Sequence, residues 1–419
     1  LNEALKQGSR GSTEGGARGR LRSLLVVLEV SLALVLLAGA GLLVRSFAQL
    51  AQLDPGFAPE HVATMHVALN GRKYAKPETR MRFTDDLLAK LEALPGVDAA
   101  ALTNLSPFNT PGTLSFNVDG RPPAAPGAEP SAVPYLVTPE YFRTMGVRLS
   151  RGRAFAVQDS ATAPPVIVIN EALAKQYFAN EDPLGRRLAI LYGKNPCPTG
   201  EIVGIVGDIH DGGLNRDPQP LMIVPMAQVP DGVTKLNAGI GPIAWLVRAH
   251  GDPRTLTTQI TEQLRQASGG FPVAHVRLMD EVVARSTARE AFNMILLGTF
   301  GAVALVLASI GIYGLMAYSV QQRTQEMGIR MALGADRSVI RKLVVWHGMR
   351  LALIGVVVGV GASFGLTKLL TAFLFGVKPW DPLVFVSVPL VLTAVAFLAV
   401  WIPAMRASKL NPMEALRVE

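Results

Sequence analysis

A single cysteine, Cys197, stands in the 419-residue sequence, so no disulfide can close within the chain. It lies in Asn195-Pro196-Cys197-Pro198, a loop composition in which a lone thiol reads as incidental. No Gly-x-x-x-x-Gly-Lys-Ser/Thr occurs, which excludes a nucleotide-binding loop of that type. Neither His-Glu-x-x-His nor paired cysteines are present to hold zinc. Ser106 and Ser160 have no nucleophile motif around them. Charge is scarce as well, at 17% of residues, against about 25% in soluble domains. Hydrophobic residues reach 49% and the mean hydropathy is +0.31. The net charge is +8. Many basic residues flank long apolar runs, so membrane topology accounts for them and no nucleic-acid partner is expected.

Those runs lie at 23–44, 294–320, 344–375 and 383–402. A helix of ~20 apolar residues is enough to cross a bilayer. The chain divides into a linker (1–22), a first span (23–46), a large domain (47–288), a second span (289–320) and a charged segment (321–343). A third span (344–375), a short outer loop (376–382), a fourth span (383–404) and a tail (405–419) follow. Residues 8–20, rich in Gly, Ser and Arg, read as a flexible linker. Basic residues precede the first span, fill 321–343 and follow the fourth span, which puts both termini and that segment inside. The opening LNEALK echoes the closing LNPMEALR, which suggests that the chain is the second half of a duplicated protein. Chance similarity over six residues is the alternative.

Two features inside the spans stand out. Glu29 lies six residues past Ser23, about 9 Å along the helix. An ionisable group there either has a conformational or proton-linked role, or snorkels to the interface or pairs with a cation on a neighbouring helix. The third span carries Gly355-x-x-x-Gly359 and Gly361-x-x-x-Gly365. Such spacing lets helices approach closely, although glycine is also simply commoner in membrane helices.

Residues 47–288 change character, with many Pro and Gly turns and short alternating stretches. Strands are predicted at 61–69, 97–103, 113–118, 131–137, 166–169, 201–206, 221–224, 243–248 and 273–278. Helices are predicted at 78–94, at 139–145 behind a Thr138 cap, at 171–178 and at 253–266. The mix implies an α+β domain. Gly207-Asp208-Ile209-His210-Asp211 precedes Gly212-Gly213 and reads as an Asp-rich turn rather than a metal site. From Met279 a helix should run unbroken into the second span, as a stiff rod.

The charged segment is the richest in information. Arg323, Glu326, Arg330, Arg337, Arg341 and Lys342 alternate with Met327, Ile329, Met331, Leu333, Val339 and Ile340, and Gly334-Ala335-Asp336 breaks the pattern. A short amphipathic helix, a turn capped by Asp336 or Ser338, and a helix entering the membrane are expected. The short helix either lies on lipid headgroups or docks on a partner. Glu326 and Arg330, four apart, can pair, leaving Met327, Met331 and Leu333 to enter a groove.

Arg323-x-x-Glu326-x-Gly328-Ile329-Arg330-x-x-x-Gly334-Ala335 resembles the segment after the second membrane helix in MacB/FtsX-type ABC transporter permeases. The resemblance covers nearly the whole chain and is best from about Ala284, with residues 289–412 as an FtsX-like permease domain. It implies an α-helical membrane protein of four transmembrane helices with a large two-lobed α+β periplasmic domain, and a lobe boundary near 150–163 that returns before Asp252. It implies a coupling helix seated on a separate ABC ATPase subunit, so ATP-Mg binds there and this chain holds no cofactor and catalyses nothing. A second permease half (homodimer or tandem repeat), a lipid membrane, and a periplasmic adaptor with an outer-membrane channel complete the partners it allows. The expected place is a bacterial inner membrane. Export or extraction of a substrate at the outer face is the implied function. FtsX-like signalling to periplasmic partners, or a membrane-anchored binding protein without energy coupling, are the alternatives.

Overall fold

The apolar run at the start of the chain builds the first helix, α1 (Gly11–Ala51). Of it, Arg20–Ala51 is long and apolar enough to span a membrane. The predicted flexible linker is corrected here, because helix extends back to Gly11. Extension adds a hydrogen bond per residue without a new nucleation cost. The computed structural model describes residues 11–67, 77–105, 107–108, 112–122, 124–125, 127–192, 195–196, 199–229, 243–268, 273–333 and 336–408. Cys197 and Ser106 lie outside these. The chain forms two units, Leu1–Gln52 with Arg289–Glu419, and Leu53–Ala288.

The described residues of the second unit form twelve strands in one mixed network, ten of them in the order β10-β6-β9-β7-β3-β4-β2-β11-β1-β12. In chain order these are β1 (Val62–Val67), β2 (Val97–Thr103), β3 (Leu114–Val118), β4 (Ser131–Val137), β5 (Leu149–Gly152) and β6 (Val166–Asn170). Then follow β7 (Arg187–Tyr192), β8 (Asn195–Pro196), β9 (Gly200–Val206), β10 (Leu221–Pro225), β11 (Ile243–Ala249) and β12 (Val273–Leu278). β10 also pairs with β4, so β4, β10, β6, β9, β7 and β3 close a circuit. Of the other six, β2, β11, β1 and β12 form an antiparallel sheet, while β5 pairs with β9 and β8 with β7 on the circuit. The two parts meet at Thr103 and Val137. These are the two lobes. The switch between them falls between β2 and β3, earlier than the predicted 150–163, because β3 and β4 already pair inside the circuit. Buried strands read alike whichever partner they take.

Side-chain alternation feeds three cores. Val166 and Val168 of β6 enter one core with Tyr135, Tyr141 and Leu246, while Ile167 and Ile169 face Phe116, Leu173 and Ile202 in another. Successive strand residues point to opposite faces. The third core joins Met65, Leu102 and Trp245 to Leu87, Leu91, Ile260 and Leu264 of two covering helices. Those are α2 (Pro77–Glu92) and α5 (Thr257–Ser268); between them in the chain come α3 (Tyr141–Met145) and α4 (Glu171–Tyr177). Several local predictions change. Thr138 does not cap α3, whose N-cap is Glu140; its hydroxyl accepts from Leu102 N–H at 2.9 Å. Pro253–Thr255 is a separate tight turn before α5.

The predicted rod is also corrected. Helix α6 (Met279–Ser286) ends at Thr287, with φ −106° and ψ 6°, and α7 (Ala288–Gln322) starts after it. Ser286 Oγ donates to Val283 O at 2.7 Å and Thr287 Oγ1 to Ala284 O at 3.2 Å. Back-bonding hydroxyls of this kind compete with the helix ladder.

In the first unit, α7 is followed by α8 (Thr324–Ala332), α9 (Arg337–Leu366) and α10 (Pro382–Ala407). Among the described residues four helices, α1, α7, α9 (extended to Thr371) and α10, have membrane length and composition. Val30 and Leu34 of α1, Ile312 of α7, Val356 of α9 and Val400 of α10 share one core. Around them Ile295, Val306, Ile310, Val357, Leu383 and Leu398 are exposed, the distribution a lipid solvent permits. Asp381 caps α10, accepting from Leu383 N–H at 3.0 Å and Val384 N–H at 3.3 Å, and it pairs with Arg45 of α1.

A candidate coupling surface on the short helix

Helix α8 lies between two membrane-length helices, in the corner between α7 and α9. Arg323 forms that corner: its N–H donates to Ser319 O at 3.2 Å and Val320 O at 3.1 Å, and its carbonyl accepts from Met327 N–H at 2.9 Å. The segment Thr324–Ala332 is therefore wound directly onto the end of α7. Arg330 Nη2 donates to Glu326 Oε1 at 2.6 Å, the spacing-based pair, with both side chains about half exposed. An exposed pair of this kind orients a helix more than it stabilises it, worth about 0.3–0.5 kcal/mol.

The groove-anchor prediction needs correction at Met327. That side chain is only 4% exposed and packs on Ile340 and Val344 of α9 and Ala404 and Ala407 of α10. It fastens α8 to its own bundle and is unavailable to a partner. The helical period then turns other residues outward. Ile329 is 46% and Leu333 83% exposed, and they stand four apart on one side. The predicted anchors Met327, Met331 and Leu333 leave out Ile329, whose four-residue spacing from Leu333 is the sequence signal that points to it. Gly328 and Met331 lie within α8, their surroundings outside the described residues, as are Gly334 and Ala335 entirely. Asp336 occupies the N-cap position of α9 without a capping side-chain bond. Ser338 Oγ donates to its carboxylate at 2.6 Å and holds it below the usual range.

The glycine pairs separate. A Cβ on Gly355 would sit 2.8 Å from Val30 Cβ, and one on Gly359 3.0 Å from Leu34 Cβ and Ser31 O. Ser31 Oγ also donates to Gly355 O at 2.9 Å across the same seam. A Cβ on Gly361 or Gly365 would meet nothing within 4 Å, so among the described residues no close helix contact forms at the predicted second pair. Six residues along, a helix has turned them away. Glu29 lies against Gly311 of α7, where a Cβ would collide with its carboxylate. Among the described residues no cation pairs with it.

The Asp-rich turn of the large domain works as a clasp. Asp208 Oδ1 accepts from Asn170 Nδ2 at 2.8 Å and Ala172 N–H at 2.7 Å, at the start of α4. Burial raises its pKa despite those bonds. Asp211 is buried and accepts from Tyr135 Oη at 2.5 Å and Phe108 N–H at 3.1 Å. Among the described residues no metal-holding cluster forms.

Among the described residues, four membrane-length helices with a large α+β domain inserted after the first give the make-up of a polytopic membrane protein. Residues 23–267 match the MacB-like periplasmic core domain and residues 298–412 the FtsX-like permease C-terminal domain. The chain belongs to the MacB/FtsX-like family of ABC transporter permeases. The ABC transporter permease YvrN of Bacillus subtilis is 30% identical over 306 residues, covering 68% of this chain and 70% of that protein. The macrolide export ATP-binding/permease protein MacB of Neisseria gonorrhoeae is 28% identical over 288 residues, 67% of this chain and 43% of that protein. The chain spans about two-fifths of the length of the export ATP-binding/permease proteins it matches. The periplasmic region of MacB from Actinobacillus actinomycetemcomitans aligns over 56% of this chain and 95% of its own, at 19% identity and a TM-score of 0.37.

Proposed function

We propose that this chain is the permease subunit of an ABC transporter and that a separate subunit binds ATP-Mg and hydrolyses it. Movement of the ATPase enters through α8 and moves the large domain, so that a substrate is exported or extracted at the outer face. Family membership supports the transporter class. These residues hold no Gly-x-x-x-x-Gly-Lys-Ser/Thr, so a nucleotide-binding loop of that type is not among them. The single observation that carries the coupling role is the outward Ile329–Leu333 pair on a helix anchored from behind by Met327. An apolar pair three or four residues apart is how a short helix enters a groove. Arg20 and Arg22 precede the apolar part of α1, and Arg323, Arg330, Arg337, Arg341 and Lys342 lie between α7 and the apolar part of α9, which favours the cytoplasm for α8 and both termini. The large domain then lies outside the inner membrane. Two permease halves work together, as a homodimer or a tandem pair.

The test is affinity capture from native membranes, scored for a chain with a nucleotide-binding loop and for ATPase activity in the captured fraction. Leu333→Asp and Ile329→Asp should insert normally and lose the ATPase. An unpaired carboxylate in a closed groove costs about 3 kcal/mol or more, a loss of roughly a hundredfold. Full capture by both variants would reduce α8 to an interfacial anchor. Macrolide accumulation in cells lacking the chain is the first transport assay, because the Neisseria relative is named for macrolide export.

A further inference from the structure

A second feature at the α8 end of the bundle is unrelated to docking of an ATPase. Between α7, the start of α8 and the last turn of α10 lies a cavity of about 290 Å³. Ala317, Val320 and Pro403 give it apolar walls, and Tyr313, Gln321 and Arg406 give it polar groups. Arg406 Nη1 donates to Tyr313 Oη at 2.9 Å. Among the described residues no carboxylate pairs with Arg406.

The depth of that contact is informative. A Cβ on Gly348 would touch both Val400 and Met316, so those two residues stand at a similar level. Arg406 is six residues beyond Val400, and Tyr313 is three residues before Met316. At helix rise their Cα atoms are offset by roughly 13 Å along the bundle. The two side chains therefore reach toward each other, and Arg406 extends back along the span. An arginine near a helix end ordinarily snorkels outward to water. Here the exposed guanidinium is instead tied back along the helix by one neutral hydroxyl, at the edge of a cavity with apolar walls. A guanidinium has five N–H donors in a fixed fork that fits phosphate, and one of its nitrogens is already engaged with Tyr313.

We propose that this cavity binds an anionic phospholipid of the leaflet at the α8 end. Its phosphate bonds to the remaining Arg406 donors and to the Gln321 amide. Its acyl chain lies along Ala317, Val320 and Pro403. Free phosphate would meet the same guanidinium but make no use of those walls. Thr324 also lines the cavity, so a bound lipid touches the first residue of α8. The proposal stands independently of any ATPase.

The full chain, reconstituted in nanodiscs of mixed phosphatidylglycerol and phosphatidylcholine, is released and analysed by native mass spectrometry for retained lipid. The wild type should keep phosphatidylglycerol in preference to phosphatidylcholine. Arg406→Gln should reduce that retention about tenfold, through loss of charge-assisted bonds. Ala317→Phe fills the cavity, leaves the charge, and should do the same. Tyr313→Phe keeps the packing and should lower retention by a smaller factor. Arg350→Gln removes a charge that does not line the cavity, and should change nothing. Excess inorganic phosphate should leave retention unchanged. Retention equal to wild type in both Arg406→Gln and Ala317→Phe would overturn the proposal. So would equal retention of phosphatidylcholine, or displacement of the lipid by inorganic phosphate.

Discussion

Gly359 and Gly361 are two residues apart and do opposite things. At Gly359 any side chain meets Leu34 Cβ and Ser31 O at 3.0 Å, whereas Gly361 faces open space. Overfilling a tight seam costs about 1–3 kcal/mol. Gly359→Leu should therefore lower the thermal stability of the purified chain by that amount, with Gly361→Leu unchanged; equal, mild effects would show that the glycines are compositional. In the large domain, Arg153 donates to buried Asp159 at 2.7 and 2.9 Å, and that pairing holds the carboxyl below its ordinary value of 3.8. A depressed folded-state pKa gives stability that is present above the unfolded value and lost as pH falls through the folded one. Asp159→Asn should cost roughly 1 kcal/mol near neutrality, allowing for the half-exposed guanidinium. The gap from wild type should close as pH falls below 3.8. A constant gap at all pH values would mean that packing, not charge, is lost.

At the scale of elements, the N-terminal end of α10 rests on one side chain. Asp381 caps it, with Pro382 in the first turn, and the same carboxylate pairs with Arg45 of α1. Asp381→Ala should destabilise the bundle by about 1–2 kcal/mol, and Arg45→Ala by less, because only the first removes the cap. Equal effects would assign the stability to the ion pair. Helices like α10 were legible in the sequence, since unbroken apolarity needs no partner to be understood. The Glu326–Arg330 pair was legible for the same reason, its geometry being local. The α6–α7 break was not, because Thr287 is tolerated in helices and only its back-bonded hydroxyl marks the end. The closed circuit of six strands was not either. β6 and β10 are apolar on both faces, and nothing in such a run says which strand lies beside it. Which side of α8 faces inward depended on Ile340, Val344 and Ala404, residues distant in sequence from Met327.

For the whole molecule, the coupling role proposed for α8 requires contact with its own bundle on one side and with a partner on the other. Met327 supplies the first contact, and Ile329 and Leu333 are exposed for the second. Site-directed cross-linking in native membranes distinguishes the two sides without perturbing folding. The background is Cys197→Ser, which removes the one native thiol. A single cysteine at Leu333 is joined by a short thiol-to-amine reagent to whatever lies against it, and the adduct is identified by mass spectrometry. The expected product is a covalent pair with an ABC ATPase subunit, formed from position 333 and absent from position 327. Labelling of position 333 by lipid-phase reagents alone, with no ATPase adduct, would contradict a coupling role for α8.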